Sequence, residues 1–367
     1  MSRFKNYPWV VLALGPIILV LFLLFIIWAS VYSRIEQEEI AAQESVLADN
    51  RNVARILAAN LEEILRDTDV YADMAVNDAA VPVVKGQKSE KEKFAGAVRS
   101  YTIEAMMGDT RALQSGTSHF LGQNFARAFD IQFLDWNNQL VHAWTTSWGL
   151  STRFVGAIIM THGDDQGLVL PPKVAPIQIV VVPIYKSDEE RSKVMEVVDR
   201  VQAELKSFRL KVDDRTEVTP GFKFNDWELK GVPLRIEVGP KDVEKGTLAF
   251  ARRDLPGKAG KSFVSQQNVA AQVDETLKAI HQSLFDRALA FRQANTHDPA
   301  DYGELQEVVH GGWALSWWCG DAACEAKVKE DTKATTRCIP LDQPGGSGAC
   351  IVCGRPADKQ VIFGRAY

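Results

Sequence analysis

The chain has no excess of basic charge: 42 Lys and Arg stand against 47 Asp and Glu, a formal net charge of −5. A protein that held nucleic acid through its whole field would be basic, so any RNA contact must come from local patches. Cysteine is scarce as well. The five present do not form the scattered even set of a disulfide scaffold, because four crowd between Cys319 and Cys353, which points to a metal and a reducing compartment. Charge is missing altogether from Pro8 to Trp28, an apolar run of about twenty residues, enough to cross a bilayer as a helix at ~1.5 Å per residue. A signal peptide would have a shorter core and a clearer cleavage site than the weak one near Ala29 to Ser33. Arg3 and Lys5 before the run, against Arg34 with Glu36, Glu38 and Glu39 after it, leave the N-terminus in the cytoplasm and export the rest.

With 367 residues, 46% of them hydrophobic, the chain can bury more than one core, and its length suggests two or three domains. After a transmembrane segment at 1–29, residues 30–78 read as a helical stalk, with Val46, Val53, Ile56, Leu57, Leu61, Ile64 and Leu65 at helical spacing. Residues 79–172 alternate apolar strands, such as Phe129 to Phe133 and Leu140 to Thr145, with glycine turns and a helix from Thr152 to His162. Antiparallel strands under one covering helix suit that pattern. The double-proline stretch from Leu170 to Pro176 is a stiff connector. Beyond it, residues 173–285 begin with the continuous apolar run IQIVVVPIY, a strand buried on both faces. A helix from Asp188 to Phe208, a strand at Leu210 to Val212 and the strand LRIEVG continue a βαβ rhythm that predicts a parallel sheet. A long helix from Gln266 to Gln293 follows, and residues 286–367 end in the cysteine cluster. The expected class is α/β: an α+β portion with antiparallel strands, a parallel-sheet α/β domain and a small zinc module, behind one N-terminal transmembrane helix.

Three constellations carry chemistry. Cys319 with Cys324, and Cys350 with Cys353 in C-x-x-C spacing, are two ligand pairs suited to a structural zinc, with Gly354 letting the backbone turn under the metal. Four thiolates close the coordination shell, so no catalytic role follows, and Cys338 reads as a small buried hydrophobe. In SWGLSTR, Arg153 heads an apolar helix beside Ser151 and Thr152. A guanidinium there can stack on a ring and pair with phosphate, while the plainer reading is an ordinary capped helix start. His162, Asp164 and Asp165 offer metal-ligand atoms but read better as a helix end and turn.

The segments RALQSGTSHFLGQNFARAFDIQF, SWGLSTRFVGAIIMTHGDDQGLVLPP and PGFKFNDWELKGVPLRIEVGPKD resemble, in that order, the proline-tRNA ligases of the archaeal and eukaryote-like type, which are class II aminoacyl-tRNA synthetases. The resemblance runs from about Val81, or from Leu65, to Tyr367. It implies ATP-dependent activation of proline with Mg²⁺ and transfer to tRNA(Pro), in the cytoplasm. It also implies that Gln114, Thr117, Ser151 and Arg153 contact ATP, with Arg153 catalytic, that His119 lines the proline pocket, and that Glu228 and Arg235 read tRNA. Without it, His119 is a satisfied turn histidine. Carboxylate and guanidinium suit the reading of single-stranded bases, and Trp227, Phe222 and Phe224 are candidates to stack on them, against the alternative of core aromatics beside a surface ion pair. The family also carries a C-terminal zinc module and ends in tyrosine, as Tyr367 does here.

The first 65 residues resemble a membrane sensor instead. Nothing in residues 1–80 resembles the FRxE-type strand pair of the second class II motif or the first motif, which builds the homodimer interface. The expectation is a chain with impaired activity whose membrane anchor conflicts with cytoplasmic work. The alternative is a membrane-tethered, non-catalytic tRNA-binding protein.

Overall fold

The computed structural model describes residues 67–135, 138–255 and 257–367. The expected membrane span at 8–28 and most of the stalk lie outside these residues. Among the described residues no helix is long and apolar enough to cross a membrane. Helix α1 (Asp67–Asp73) runs into a single π turn at Met74–Asp78. These residues were expected to end the stalk, yet Ala75 and Ala79 are buried, so the folded unit begins before residue 79.

Strands β1 (Val83–Gln87), β2 (Arg99–Met106) and β3 (Ala112–Gly122) follow as an antiparallel meander. A short helix α2 (Asn124–Ala128) and the small hairpin β4 (Gln132–Leu134) and β5 (Leu140–His142) lead to β6 (Thr145–Gly149), which pairs antiparallel with β3. Helix α3 (Arg153–His162) then lies on this sheet. Its Phe154, Ala157 and Ile158 meet Ile103, Ala105 and Leu113 of β2 and β3 in one apolar cluster, the covering-helix arrangement that the alternation predicts. The connector is pinned as well as stiff: the Arg209 guanidinium donates to the carbonyls of Pro172, Lys173 and Ala175.

The next domain is built on β7 (Ile179–Pro183), buried at every position. One face packs on α4 (Asp188–Glu204), where the Ser187 hydroxyl caps the N-terminus and Asp188, Glu189 and Glu190 suit the helix dipole. Strand β8 (Leu210–Val212), helix α5 (Pro220–Leu229), strand β9 (Leu234–Val238), helix α6 (Pro240–Lys245), strands β10 (Thr247–Arg252) and β11 (Lys261–Ser265), and helix α7 (Val269–Ala294) complete it. The three strands that the sequence names, β7, β8 and β9, are parallel as expected, but the sheet as a whole is mixed. Its order is β11-β10-β9-β7-β8, with β7 parallel to β8 and β9 but β9, β10 and β11 antiparallel. Only the short α6 separates β9 from β10, too little chain for a parallel crossover, so the sheet is extended by a hairpin instead.

Strands β12 (Thr296–His297), β13 (Trp313–Trp318), β14 (Thr335–Pro340), β15 (Gly348–Ala349), β16 (Pro356–Ala357) and β17 (Lys359–Gly364) alternate with helices α8 (Tyr302–Gly311) and α9 (Ala322–Thr332). They do not stand apart as a small module. Strand β14 pairs with β1, giving one eight-stranded sheet in the order β12-β13-β17-β14-β1-β2-β3-β6. Close approach of β14 requires Gly86, since a Cβ there would stand 2.6 Å from the Cβ of Cys338. Cys338 is itself fully buried among Met106, Ala112, Trp313 and Ile362, and burial pushes its thiol pKa up, as a small hydrophobe would have it.

Candidate functional site

Strand β3 gathers three of the expected site residues on one face. Thr117 and His119 are two apart and therefore share a face, whereas Gln114, three residues before Thr117, would point away in a regular strand. A bulge corrects this: Thr102 and Glu104 of β2, two apart, stand opposite Thr117 and Gln114. His119 is on a strand rather than in a turn. Its Nδ1 is 2.8 Å from the Ser100 hydroxyl, the Phe94 ring packs 4.9 Å away, and partial burial lowers its pKa. Strand β6, beside β3, delivers the chain to Ser151 and Arg153 at the head of α3, where the Ser151 hydroxyl accepts from the Arg153 backbone NH at 3.3 Å. The Arg153 guanidinium and the side chains of Gln114 and Thr117 make no hydrogen bond or ion pair among the described residues. Two of these open groups stand on strand β3 and the third at the head of α3, donors and acceptors that a polar ligand could use.

Beneath Gln114 lies a network that the sequence reading missed. Fully buried Glu104 accepts from Lys88 Nζ at 2.7 Å and from Arg337 of β14 at 2.9 and 3.2 Å, while Thr102 donates to it at 3.0 Å. His162, Asp164 and Asp165 form no metal cluster. His162 is buried and donates from Nε2 to the Ala79 carbonyl at 2.9 Å; Asp164 pairs bidentately with Arg253 at 2.6 and 2.7 Å, tying the end of α3 to the second sheet.

In the α/β domain Glu228 and Arg235 meet: Arg235 donates to Glu228 at 2.7 Å and to Glu237 at 3.1 Å, and its guanidinium lies 4.1 Å from the centre of the Phe224 ring. Trp227 is not available to stack on a ligand. It is buried against Val180, Val182 and Val232, with Nε1 donating to Asp213 at 2.8 Å. Phe222 is exposed.

The sulfurs of Cys319, Cys324, Cys350 and Cys353 lie within 4.8 Å of one another, those of Cys319 and Cys324 at 3.7 Å and those of Cys319 and Cys353 also at 3.7 Å. Four thiolates around Zn²⁺ at ~2.3 Å each would be separated by roughly 3.8 Å, so this donor set fits a tetrahedral zinc. Cys319 and the N-terminus of α9 supply one side, and the turn before β16 supplies the other, where Gly354 at φ 72° lets its NH return to the Cys350 carbonyl at 2.8 Å. Burial raises the pKa of Cys319 and Cys324, while the exposed Cys353 is held at about 6 by hydrogen bonds from Arg355. A cation with Arg355 beside it would keep all four as thiolates.

The chain combines an α/β domain bearing an ion-paired face with a four-cysteine cluster among the elements that follow it. Residues 178–281 match the family described as anticodon binding domain, and residues 302–367 match the one described as prolyl-tRNA synthetase, C-terminal. The chain thus carries a proline-tRNA ligase C-terminal region with an anticodon-binding domain. It is 62% identical over 308 residues to the proline-tRNA ligase of Chloroflexus aurantiacus, covering 83% of this chain and 64% of that protein. The proline-tRNA ligase of Roseiflexus castenholzii is 59% identical over 310 residues, covering 84% of this chain and 65% of that protein. The chloroplastic/mitochondrial proline-tRNA ligase of Arabidopsis thaliana is 50% identical over 305 residues, covering 82% and 56%. The chain spans about 64% of the length of the curated Chloroflexus relatives it matches.

Proposed function

We propose that the chain acts as a proline-tRNA ligase of the archaeal and eukaryote-like type with weakened chemistry. It binds tRNA(Pro) through residues 173–285 and holds ATP and proline on the face of β3. The observation that supports this reading is that Gln114 and Thr117 share one face of β3 with unbonded side chains, while the neighbouring β6 leads directly to Ser151 and Arg153 at the head of α3.

In the activation step the proline carboxylate would attack the α-phosphorus of ATP and the bond to the α–β bridging oxygen would break, with Arg153 taking up charge on the departing pyrophosphate; Mg²⁺, when bound, would supply further charge neutralisation. The tRNA 3′-terminal hydroxyl then attacks the prolyl carbonyl and AMP departs. Neither step needs a protein nucleophile, so positioning and charge neutralisation by Arg153, Gln114 and Thr117 supply the catalysis, with Ser151 fixing the start of α3 and His119 bounding the proline pocket. Glu228 and Arg235 hold base edges of the tRNA, and Cys319, Cys324, Cys350 and Cys353 hold a zinc that supports the C-terminal strands.

A second arginine, on an FRxE-type strand, belongs to such a site, and residues 1–80 contain no such pattern. Loss of one charged transition-state contact costs ~10² to 10³ in rate. The full chain is therefore expected to bind tRNA(Pro) on filters in preference to a non-cognate tRNA, and to support proline-dependent ATP-pyrophosphate exchange at least ~10² slower than an intact relative. Equal binding of both tRNAs would remove the reading, and exchange at the intact rate would remove the impairment. Attachment through residues 8–28 is part of the same proposal: the chain is expected to stay with membranes after alkaline carbonate extraction, and its release would discard the anchor.

A further inference from the structure

We infer that Phe263 is a stacking platform for one unpaired base of the RNA held by the α/β domain, an inference that rests on the tRNA-binding reading above. The two faces of the five-stranded sheet are unlike. On one, Ile179, Val181, Leu234, Ile236, Leu248 and Phe250 are sealed beneath α4 and α7. On the other, α5 covers only the β7 end, where Trp227 and Phe224 pack on Val180 and Val182.

The register fixes what the rest of that second face presents. Arg235 of β9 stands opposite Ala251, which stands opposite Lys261 of β11; in the next row Glu237 stands opposite Ala249, which stands opposite Phe263. Ion pairs run along this surface from Glu228 to Arg235, to Glu237 and to Lys261. Of the two small alanines between these groups, Ala251 is half-buried and Ala249 buried, and the Phe263 ring stands at the far edge, 66% exposed, with Lys261 Nζ 5.9 Å from its centre. It lies outside every apolar cluster of the domain, so no packing role accounts for it.

The chemistry of the surface selects the ligand. Alternating carboxylates and cations compensate one another and offer little field to a phosphate backbone, and the whole chain is acidic. What they do offer is donors and acceptors in one plane, which match the edges of bases. A base whose edge meets that row needs its face covered, and an aromatic ring beside a lysine covers it without regard to sequence. Stacking then supplies affinity that long-range charge does not.

The test uses the full chain and transcripts of tRNA(Pro) carrying 2-aminopurine at successive positions of the anticodon loop. The expected result is quenching at one loop position on binding, retained in Phe263→Tyr and lost in Phe263→Leu, whose Kd rises about tenfold with the salt slope unchanged. Because the ring is exposed, unfolding curves of the two variants should coincide with the wild type. If Phe263→Leu binds within twofold of wild type with the same quenching at every position, the inference is overturned. If it folds and binds normally but has lost self-association, the ring covers a protein partner and the inference is equally overturned. A wild-type chain that binds no tRNA(Pro) overturns the parent reading as well, so the two failures are told apart.

Discussion

His162 closes helix α3 with its imidazole buried, and burial, reinforced by the nearby Arg287 charge, lowers its pKa from 6.5 to about 4. The unfolded chain therefore binds a proton between these values that the folded chain refuses. Stability from this residue is complete above pH 6.5 and is lost as pH falls toward 4, by roughly 3 kcal/mol at the foot of that window. Urea unfolding of the wild type at neutral pH and near pH 5 should show the loss, and His162→Gln should show a flatter dependence; identical pH slopes would count against this account. The sequence marked His162 as a helix end, correctly, because glycine follows it. Its role as a buried donor to the Ala79 carbonyl was hidden, since that partner is 83 residues away. Trp227 is open in the sequence between a stacking group and a core aromatic, and the structure decides for the core. An aromatic in a polar segment looks like a stacking group until the valines of β7 and the Asp213 carboxylate are seen to enclose it.

Among elements, the junction of β14 with β1 and β2 depends on one carboxylate. Glu104 pairs with both Lys88 and Arg337 where all three are buried, and removing the carboxylate leaves two uncompensated cations in the interior. Glu104→Gln is expected to lower the unfolding free energy by about 3–5 kcal/mol, read from denaturant midpoints, and Glu104→Asp should lose less. A midpoint unchanged by Glu104→Gln would mean that the cations find water. Local elements were largely legible: β8 occupies the expected Leu210–Val212, and α7 begins three residues after the expected start, because hydrophobic periodicity is written in the segment itself. The hairpin of β10 and β11 was not. The Arg252-Arg253-Asp254 sequence and the glycine-rich turn after it disguise two strands, one of which is fixed by pairing with β9 and the other by pairing with the first.

For the whole molecule, the cysteine spacing announced a candidate metal site but not what such a site would support. The cluster joins the end of β13 to α9, β13 pairs with β17, β17 with β14, and β14 with β1, so the strands beside the cluster and the face bearing Gln114 belong to one sheet. One zinc per chain is expected by elemental analysis. Its removal by chelator should raise amide exchange first in residues 313–318 and 335–340 and then in residues 83–87. Exchange at 83–87 unaffected by full metal loss would show that the halves are mechanically independent. No periodicity in residues 83–87 could have revealed this, because a strand's partners are not encoded at the strand.

The same pairing bears on how the protein is made. Lys88 and the Arg337 carbonyl that it bonds are 249 residues apart. At a synthesis rate of ~5–20 residues per second, strands β1 to β3 leave the ribosome roughly 10 to 50 s before the strand that closes their edge exists. During that interval an unpaired edge next to a half-built apolar core is open to other chains. The nascent protein must be shielded until its last thirty or so residues emerge, and a chain released short of β14 should aggregate rather than fold in part.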